Sequence, residues 1–392
     1  MQPALTTQTK RIESIDLLKG LVMVVMALDH VRDYFHFSAN YFDPADPTQT
    51  TLPIFFTRWI THFCAPTFSF LAGASAFLVG RRKTKAALSG FLWKRGLWLV
   101  IIEMTVVSFA WFFDVQFRTI GMLTIWSLGI SMIVLAALVH LPKNFILAFS
   151  LVLIFGHNVL DGVQFNGSLL WDIVHHQNFY PLNEHTQLMI GYPVVPWIAV
   201  MSLGYYFGSF YDQKYDPAKR KRLFNIIGVL AIALFVFLRF TNLYGNPADR
   251  GHFGSFTKNL ISFLNPAKYP PSLMYLLMTL GGALLFLANT ENLRGKIVQF
   301  FSTFGRVPFF YYILHLYVIH LLALLFAQVS GFGWQHLILP SWISFIPLKG
   351  YGVGLAAVYL IWIAVILLLY PLCKKFDRYK QAHKEKWWLS YL

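Results

Sequence analysis

Apolar runs of about 20 residues recur from one end of this chain to the other, and a run of that length crosses the hydrocarbon core of a bilayer as a helix. The fraction of charged residues, 12% of 392 against 57% hydrophobic, is far too small to solvate a soluble domain of this size. The expected fold is therefore all-α, a polytopic integral membrane protein of about ten transmembrane helices. The expected spans are 15–36, 53–80, 90–113, 119–140, 144–161, 189–211, 223–241, 270–290, 306–330 and 351–373. One membrane domain takes up residues 1–392, with tails at 1–14 and 374–392, and no tandem repeat is visible.

The net charge of +15 does not point to nucleic acid, because of where the charges lie. Lys10 and Arg11, the segments 81–85, 214–222 and 374–386, and Arg294 with Lys296 occupy short loops between apolar runs. Numbering the helices puts all of these loops on one side, the positive-inside pattern, so both termini are expected in the cytoplasm. The opposite loops (37–52, 114–118, 162–188, 242–269 and 331–350) are richer in His, Asp and Trp. The loop 162–188 is long for a bare connection and is expected to be functional. The stretch 292–304 reads as an amphipathic interfacial helix. Cys64 and Cys373 form no disulfide framework. The first apolar segment carries Asp16, Lys19, Asp29 and His30 with no small-residue cleavage site after it, so it reads as a retained helix.

Ionisable groups inside a span are costly and are functional candidates by default. Lys19 and His30 lie on one face of the first helix, about 16 Å apart along its axis. The plain structural reading is a snorkelling lysine and a packing histidine bonded to Asp33. Arg58, His62, Pro66, Ser69 and Gly73 form a second stripe at helical spacing. Glu103 in the third span is expected to pair with a basic neighbour. His315 and His320, five residues apart, share no face well enough for a two-histidine metal site. Asp172, His175, His176, Glu184 and His185 could offer ligands, but such loops are often His-rich, and no metal is expected. Phosphate-binding glycine loops, nucleophile elbows and zincin motifs are not found.

The opening Arg11-Ile12-Glu13-Ser14-Ile15-Asp16-Leu17-Leu18-Lys19-Gly20, with ten residues between Lys19 and His30, resembles the first motif of transmembrane acyltransferases of the acyltransferase-3 family. The rest is more similar to the catalytic-domain family of heparan-alpha-glucosaminide N-acetyltransferase and its bacterial relatives. The matching stretches are His62-Phe63-Cys64-Ala65-Pro66-Thr67-Phe68-Ser69-Phe70-Leu71-Ala72-Gly73, then Gly191-Tyr192-Pro193-Val194-Val195-Pro196-Trp197 with Gly204-Tyr205. Lys268-Tyr269-Pro270-Pro271-Ser272-Leu273 and Gly305-Arg306-Val307-Pro308-Phe309-Phe310-Tyr311-Tyr312 complete the set.

The resemblance implies transfer of an acetyl or other acyl group from cytoplasmic acetyl-CoA to a sugar amine or hydroxyl on the far side of the membrane. It implies acetyl-CoA as co-substrate, a carbohydrate-like acceptor, the bilayer as environment, and by analogy alone a homodimer. Lys19, Arg81, Arg82, Lys94 and Arg95 would face the polyanionic CoA. His30 would deprotonate the acceptor or carry the acetyl group, oriented by Asp29 or Asp33, with His62 the second choice. Arg58, Trp197, Lys268, Tyr269, Arg306 and His315 are expected to contact the acceptor. The lysosomal branch has asparagine at the place of His30 and its proposed histidine in the following loop, whereas residues 38–52 here hold no histidine and only His36 is near. The large luminal region of that branch is also missing, so a bacterial inner membrane fits better. The rival reading is a proton-coupled transporter or channel lined by Lys19, His30, His62 and Glu103, which the lack of an inverted repeat disfavours.

Overall fold

The computed structural model describes residues 12–165, 167–341 and 348–391. Lys10, Arg11 and part of the loop 331–350 lie outside the described residues. Among the described residues, seven helical segments are long and apolar enough to cross a bilayer: Leu52–Gly80, Lys85–Phe112, Lys143–Leu160, Pro217–Thr241, Leu273–Thr290, Pro308–Val329 and Leu355–Ala382.

In chain order the helices are α1 (Glu13–Phe35), α2 (Leu52–Trp59), α3 (Cys64–Gly80), α4 (Lys85–Ile102), α5 (Ser108–Phe112), α6 (Thr124–Leu138) and α7 (Lys143–Gly156). They continue with α8 (Leu169–Val174), α9 (Val194–Gly208), α10 (Pro217–Thr241), α11 (Phe256–Leu264) and α12 (Leu273–Thr290). The last are α13 (Lys296–Arg306), α14 (Pro308–Val329) and α15 (Leu355–Ala382). Local chemistry sets several boundaries. Asp216 accepts from Ala218 N ahead of Pro217 at the start of α10, Thr84 caps α4, and Ser272 caps α12.

Three of the ten expected spans fall short of the apolar-span standard, each for a visible reason. The helix α1 is long enough at 23 residues, but Asp16, Lys19, Asp29, Arg32 and Asp33 make it too polar. It lies at the centre of the bundle, against α3, α12, α13, α14 and α15, where protein rather than lipid surrounds its charges. The helices α6 and α9 have 15 residues each, about 22 Å against the roughly 30 Å of a bilayer core.

Each of these two short helices follows a strand, which corrects the purely α-helical expectation. Strands β1 (Thr119–Met122), β2 (Asn178–Pro181) and β3 (Gln187–Ile190) form a sheet in the order β1-β3-β2. β1 and β3 run parallel in the register Thr119↔Gln187 to Met122↔Ile190, and β2 pairs antiparallel with β3. The sheet thus ties the entrances of α6 and α9 together at one end of the bundle.

Close helix contacts occur where glycines face one another. A methyl group at Gly20 would lie 1.7 Å from Phe301 O, and one at Gly305 would lie 1.8 Å from Asp16 O, so α1 and α13 meet backbone to backbone. Gly73 and Gly204 do the same for α3 and α9, Gly96 and Gly129 for α4 and α6, and Gly228 and Gly281 for α10 and α12. Small residues at such crossings are the usual means of packing helices in lipid, where no hydrophobic effect drives them together. The outer helices carry the apolar surface: Val229, Leu230 and Phe237 on α10 and Leu360, Ile363 and Leu367 on α15 are exposed.

The two ends of the bundle differ in chemistry. At one end Arg294 pairs with Glu13 (3.4 Å), Arg81 with Asp212 (3.6 Å), Arg220 with Glu291, and Lys85 with the carbonyl of His140 (3.0 Å). These contacts gather the start of α1, the loop before α4 and the segments around α10 and α13. At the other end, Phe37 N bonds Val353 O, Thr119 Oγ1 bonds Pro340 O, and Asn265 Nδ2 bonds Ala45 O. The sheet and the long loops lie there.

Candidate active site

A cavity of about 590 Å³ opens among the sheet and long loops, lined by Asp29, His30, Arg32 and Asp33 of α1, Arg58 of α2, and Lys268 and Tyr269 of the loop before α12. Its walls are strongly aromatic, with Trp111, Phe179, Tyr192 and Tyr312 beside Tyr269. A second, smaller hollow of about 180 Å³ lies toward the basic end, lined by Lys19, Met23, Ala72, Ala76, Arg95 and Leu99 among others. Met26, Phe68, Thr124 and Tyr312 line both. The helix α1 therefore forms a wall of each: Lys19 belongs to one hollow, His30 to the other, and Met26 to the boundary.

His30 sits one turn beyond Met26, and its hydrogen bonding defines which nitrogen is available. His315 Nδ1 lies 2.9 Å from the carbonyl oxygen of Tyr311, which can only accept, so Nδ1 carries the proton. Its Nε2 is then an acceptor, and it lies 2.8 Å from His30 Nδ1, which must donate. This leaves His30 Nε2 unprotonated in the neutral tautomer, on a side chain that lines the cavity. The two imidazoles stack at 5.0 Å with an 11° tilt, and Trp111 packs edge-on against His30 at 4.7 Å. His315 itself is fully buried.

The acidic residues of α1 do other work than expected. Asp29 bonds Arg58 (2.5 Å) and Arg32 (2.6 Å), and Asp33 bonds Arg32 (2.6 Å). The partner that orients His30 is thus His315, and the carboxylates instead hold the two guanidinium groups at the rim. Asp29, the residue before His30, points to another side of α1, and Asp33, one turn on, is taken up by Arg32, whereas His315 of α14 lies against the imidazole. Lys268 lies over the Tyr269 ring at 5.2 Å. Burial alone would raise the Tyr269 phenol, but Lys268 and Arg58 outweigh it and shift it below the ordinary tyrosine value.

Several other expectations are redirected by the packing. His62 is buried outside both hollows, against Tyr275 (5.5 Å), whose hydroxyl donates to the His62 carbonyl (2.6 Å). The 3-10 turn Ile60–Phe63 breaks the expected stripe, so Arg58 faces α1 while Ser69 bonds Trp197 O (3.2 Å) and Gly73 packs on α9. Trp197 is also buried and backs Tyr192 at 5.2 Å, without reaching the cavity. Arg306 sits at the basic end, paired with Asp377 (2.7 Å). Arg81 pairs with Asp212, while Arg82 and Lys94 are exposed and line neither hollow, leaving Lys19 and Arg95 as the cations of the inner one. Among the described residues Glu103 pairs with no base. One carboxylate oxygen accepts from Ile125 N (2.8 Å) and Trp126 N (3.2 Å), at the start of α6, where the helix dipole favours an anion. His320 is held between the carbonyls of Ala110 and Leu337, both at 2.8 Å, and lines neither hollow.

A separate cluster joins the loop 162–188 to the end of α7. His157, Asp161 and His175 bring potential ligand atoms within 4.8 Å of one another. Of the loop residues weighed for ligation, only His175 belongs to it. The overlooked signal was His157 and Asp161, four residues apart at the end of a span.

In comparison with known sequences, the family described as "Heparan-alpha-glucosaminide N-acetyltransferase, catalytic" matches residues 11–241. A search of curated proteins returns no match. The matched region includes His30, Arg58 and the inner hollow's Lys19 and Arg95, whereas Lys268, Tyr269, Tyr312 and His315 lie beyond it.

Proposed function

The chain belongs to the heparan-alpha-glucosaminide N-acetyltransferase catalytic family, and from that membership we propose that it is a multi-pass membrane acetyltransferase with His30 as its general base. The observation that carries the reading is the pair of hollows meeting at Met26, Phe68, Thr124 and Tyr312, with His30 one turn away. A donor entering from one end and an acceptor from the other would meet beside its free nitrogen.

Ten transmembrane helices with both termini in the cytoplasm place the basic end inside. The donor, acetyl-CoA, enters there. The inner hollow fits it: Lys19 and Arg95 supply positive charge, and Met23, Ala72, Ala76 and Leu99 supply an apolar wall for a pantetheine arm. From Lys19 to Met26 is two turns of α1, about 10 Å. The acceptor is an extracytoplasmic sugar hydroxyl or amine. The outer cavity offers flat aromatic faces for the apolar face of a sugar ring and Arg58, Asp33 and Lys268 for its hydroxyls. Bacterial inner membrane is the setting that suits such an acceptor.

In the reaction, His30 Nε2 takes the proton of the acceptor O–H or N–H as that atom attacks the thioester carbonyl. The tetrahedral intermediate collapses with cleavage of the C–S bond. The sulfur leaves with the proton from the imidazolium, giving the acetylated acceptor and CoA-SH, and His30 returns to its starting tautomer. His315 and the Tyr311 carbonyl hold that tautomer throughout, the task a buried carboxylate performs in serine hydrolases.

The decisive experiment is acetyl-CoA binding and turnover by the purified protein in detergent, with His30→Ala alongside. Turnover in the wild type, and a loss of about 10²- to 10⁴-fold in His30→Ala with acetyl-CoA affinity kept, is the expected result. Failure of the wild type to bind or consume acetyl-CoA overturns this donor. Equal turnover by His30→Ala removes the base assignment.

A further inference from the structure

The cluster at the end of α7 is independent of the acetyl-transfer chemistry. His157 is 2% exposed and His175 is 3% exposed, so both imidazoles are removed from solvent. Neither ring nitrogen of His157 has a hydrogen-bond partner among the described residues, and His175 Nδ1 has none either. Buried imidazole nitrogens left unbonded are costly, and structures rarely keep several together without a ligand. His175 Nε2 lies 3.0 Å from Asp161 Oδ1. The other Asp161 oxygen accepts from Asn158 Nδ2 at 2.8 Å, while Asn158 Oδ1 accepts from Leu273 N at 2.8 Å. The carboxylate is therefore fixed in place by a residue that is itself bonded to the first N–H of α12, the kind of outer support that metal ligands require.

We propose that His157, Asp161 and His175 form a binding site for a divalent transition-metal cation of the zinc type. Two neutral imidazoles and one carboxylate are a donor set suited to such an ion, with water completing the coordination. Calcium or magnesium would demand more oxygen donors than the cluster has. On binding, the cation replaces the proton now shared between His175 Nε2 and Asp161 Oδ1. That proton moves to His175 Nδ1, and Nε2 becomes a ligand atom. His157 contributes a nitrogen that has no protein partner to give up.

The site clamps the loop 162–188 to the end of α7. His175 lies two residues before the segment Gln177, Asn178 and Phe179, which lines the outer cavity, and Asn178 opens β2. Metal binding thus fixes one wall of that cavity without any ligand belonging to it.

The test uses the full-length protein stripped with EDTA and titrated with Co²⁺, followed by visible absorption, together with Zn²⁺ content by elemental mass spectrometry. One Co²⁺ per chain is expected, with ligand-field bands, displaced by Zn²⁺. His157→Ala and His175→Ala each weaken binding by at least about tenfold. His176→Ala, whose ring bonds Asp172 and lies outside the cluster, keeps it. Zn²⁺ also slows proteolysis within 162–188 in the wild type and not in His157→Ala. No Co²⁺ or Zn²⁺ retained by wild type, or unchanged Co²⁺ affinity in His157→Ala, overturns the site. Should His157→Ala fail to fold, His157→Gln and Asp161→Asn take its place, with the same weakening expected and unchanged affinity again overturning it.

Discussion

At the scale of single residues, the site depends on a hydrogen-bond direction. The Tyr311 carbonyl fixes the His315 tautomer, His315 fixes that of His30, and the unprotonated nitrogen belongs to a side chain that lines the cavity. Replacing His315 by alanine should lower kcat by about 10- to 10³-fold while leaving acetyl-CoA affinity within a factor of two. A His315→Ala enzyme with wild-type kcat would remove its positioning role. The Asp29–Arg58 pair makes a different demand. Arg58→Met strips one of the two guanidinium partners from a buried carboxylate and should cost about 3 kcal/mol of stability, and the double variant Asp29→Asn/Arg58→Met should cost less than the two single effects added. A double-mutant cycle by thermal unfolding measures that coupling. His30 was legible from its spacing to Lys19, because a single helix carries both. Its partner was not, since the two histidines are 285 positions apart and spacing along α14 said only that His315 and His320 face differently. Trp197 and Arg306 stood out in the sequence for reasons that the structure assigns to packing and to an ion pair.

At the scale of elements, glycine positions divide sharply by what lies opposite. Gly20→Ala should destabilise severely, because its methyl group would meet the Phe301 carbonyl and backbone cannot yield as a side chain does. Gly90→Ala, on the open face of α4 with nothing within 4 Å, should be neutral or gain roughly 0.5–1 kcal/mol from helix propensity. Detergent-solubilised melting temperatures separate the two. The turn before β1 gives a pH test. Burial raises the Asp114 carboxyl, but hydrogen bonds from Arg118 and from Gln116 N prevail and hold it below its usual value. Its contribution is therefore complete above the unfolded carboxylate value of about 3.9 and fades as pH falls through the lower folded one. The melting-temperature gap between wild type and Asp114→Asn should be full at neutral pH and close on acidification. The long apolar helices were readable as such. The sheet was not: β1 and β3, four residues each and running directly toward apolar helices, merge with them into what reads as one hydrophobic run.

At the scale of the whole molecule, charge and shape give the protein two unlike ends, and orientation is testable. With Cys64 and Cys373 replaced by alanine, a membrane-impermeant maleimide should label Leu182→Cys on intact cells, and Lys83→Cys only after the membrane is opened. The reverse pattern would put the basic hollow on the wrong side for acetyl-CoA. The pairs Arg81–Asp212 and Arg294–Glu13 show that the loops carrying Arg81 and Arg294 meet the neighbouring helix ends, and the labelling reads which side they face. What no reading of successive spans could show is that α1 is the centre of the bundle. Its closest neighbours are α13, α14 and α15, and its Tyr34 carbonyl is bonded by Tyr351. At ordinary translation rates of about 5–20 residues per second, His30 waits roughly 15–60 s for the emergence of His315, 285 residues later. During that interval the charged half of α1 has none of its final neighbours from α13, α14 and α15, and its core contacts wait on the far end of the chain.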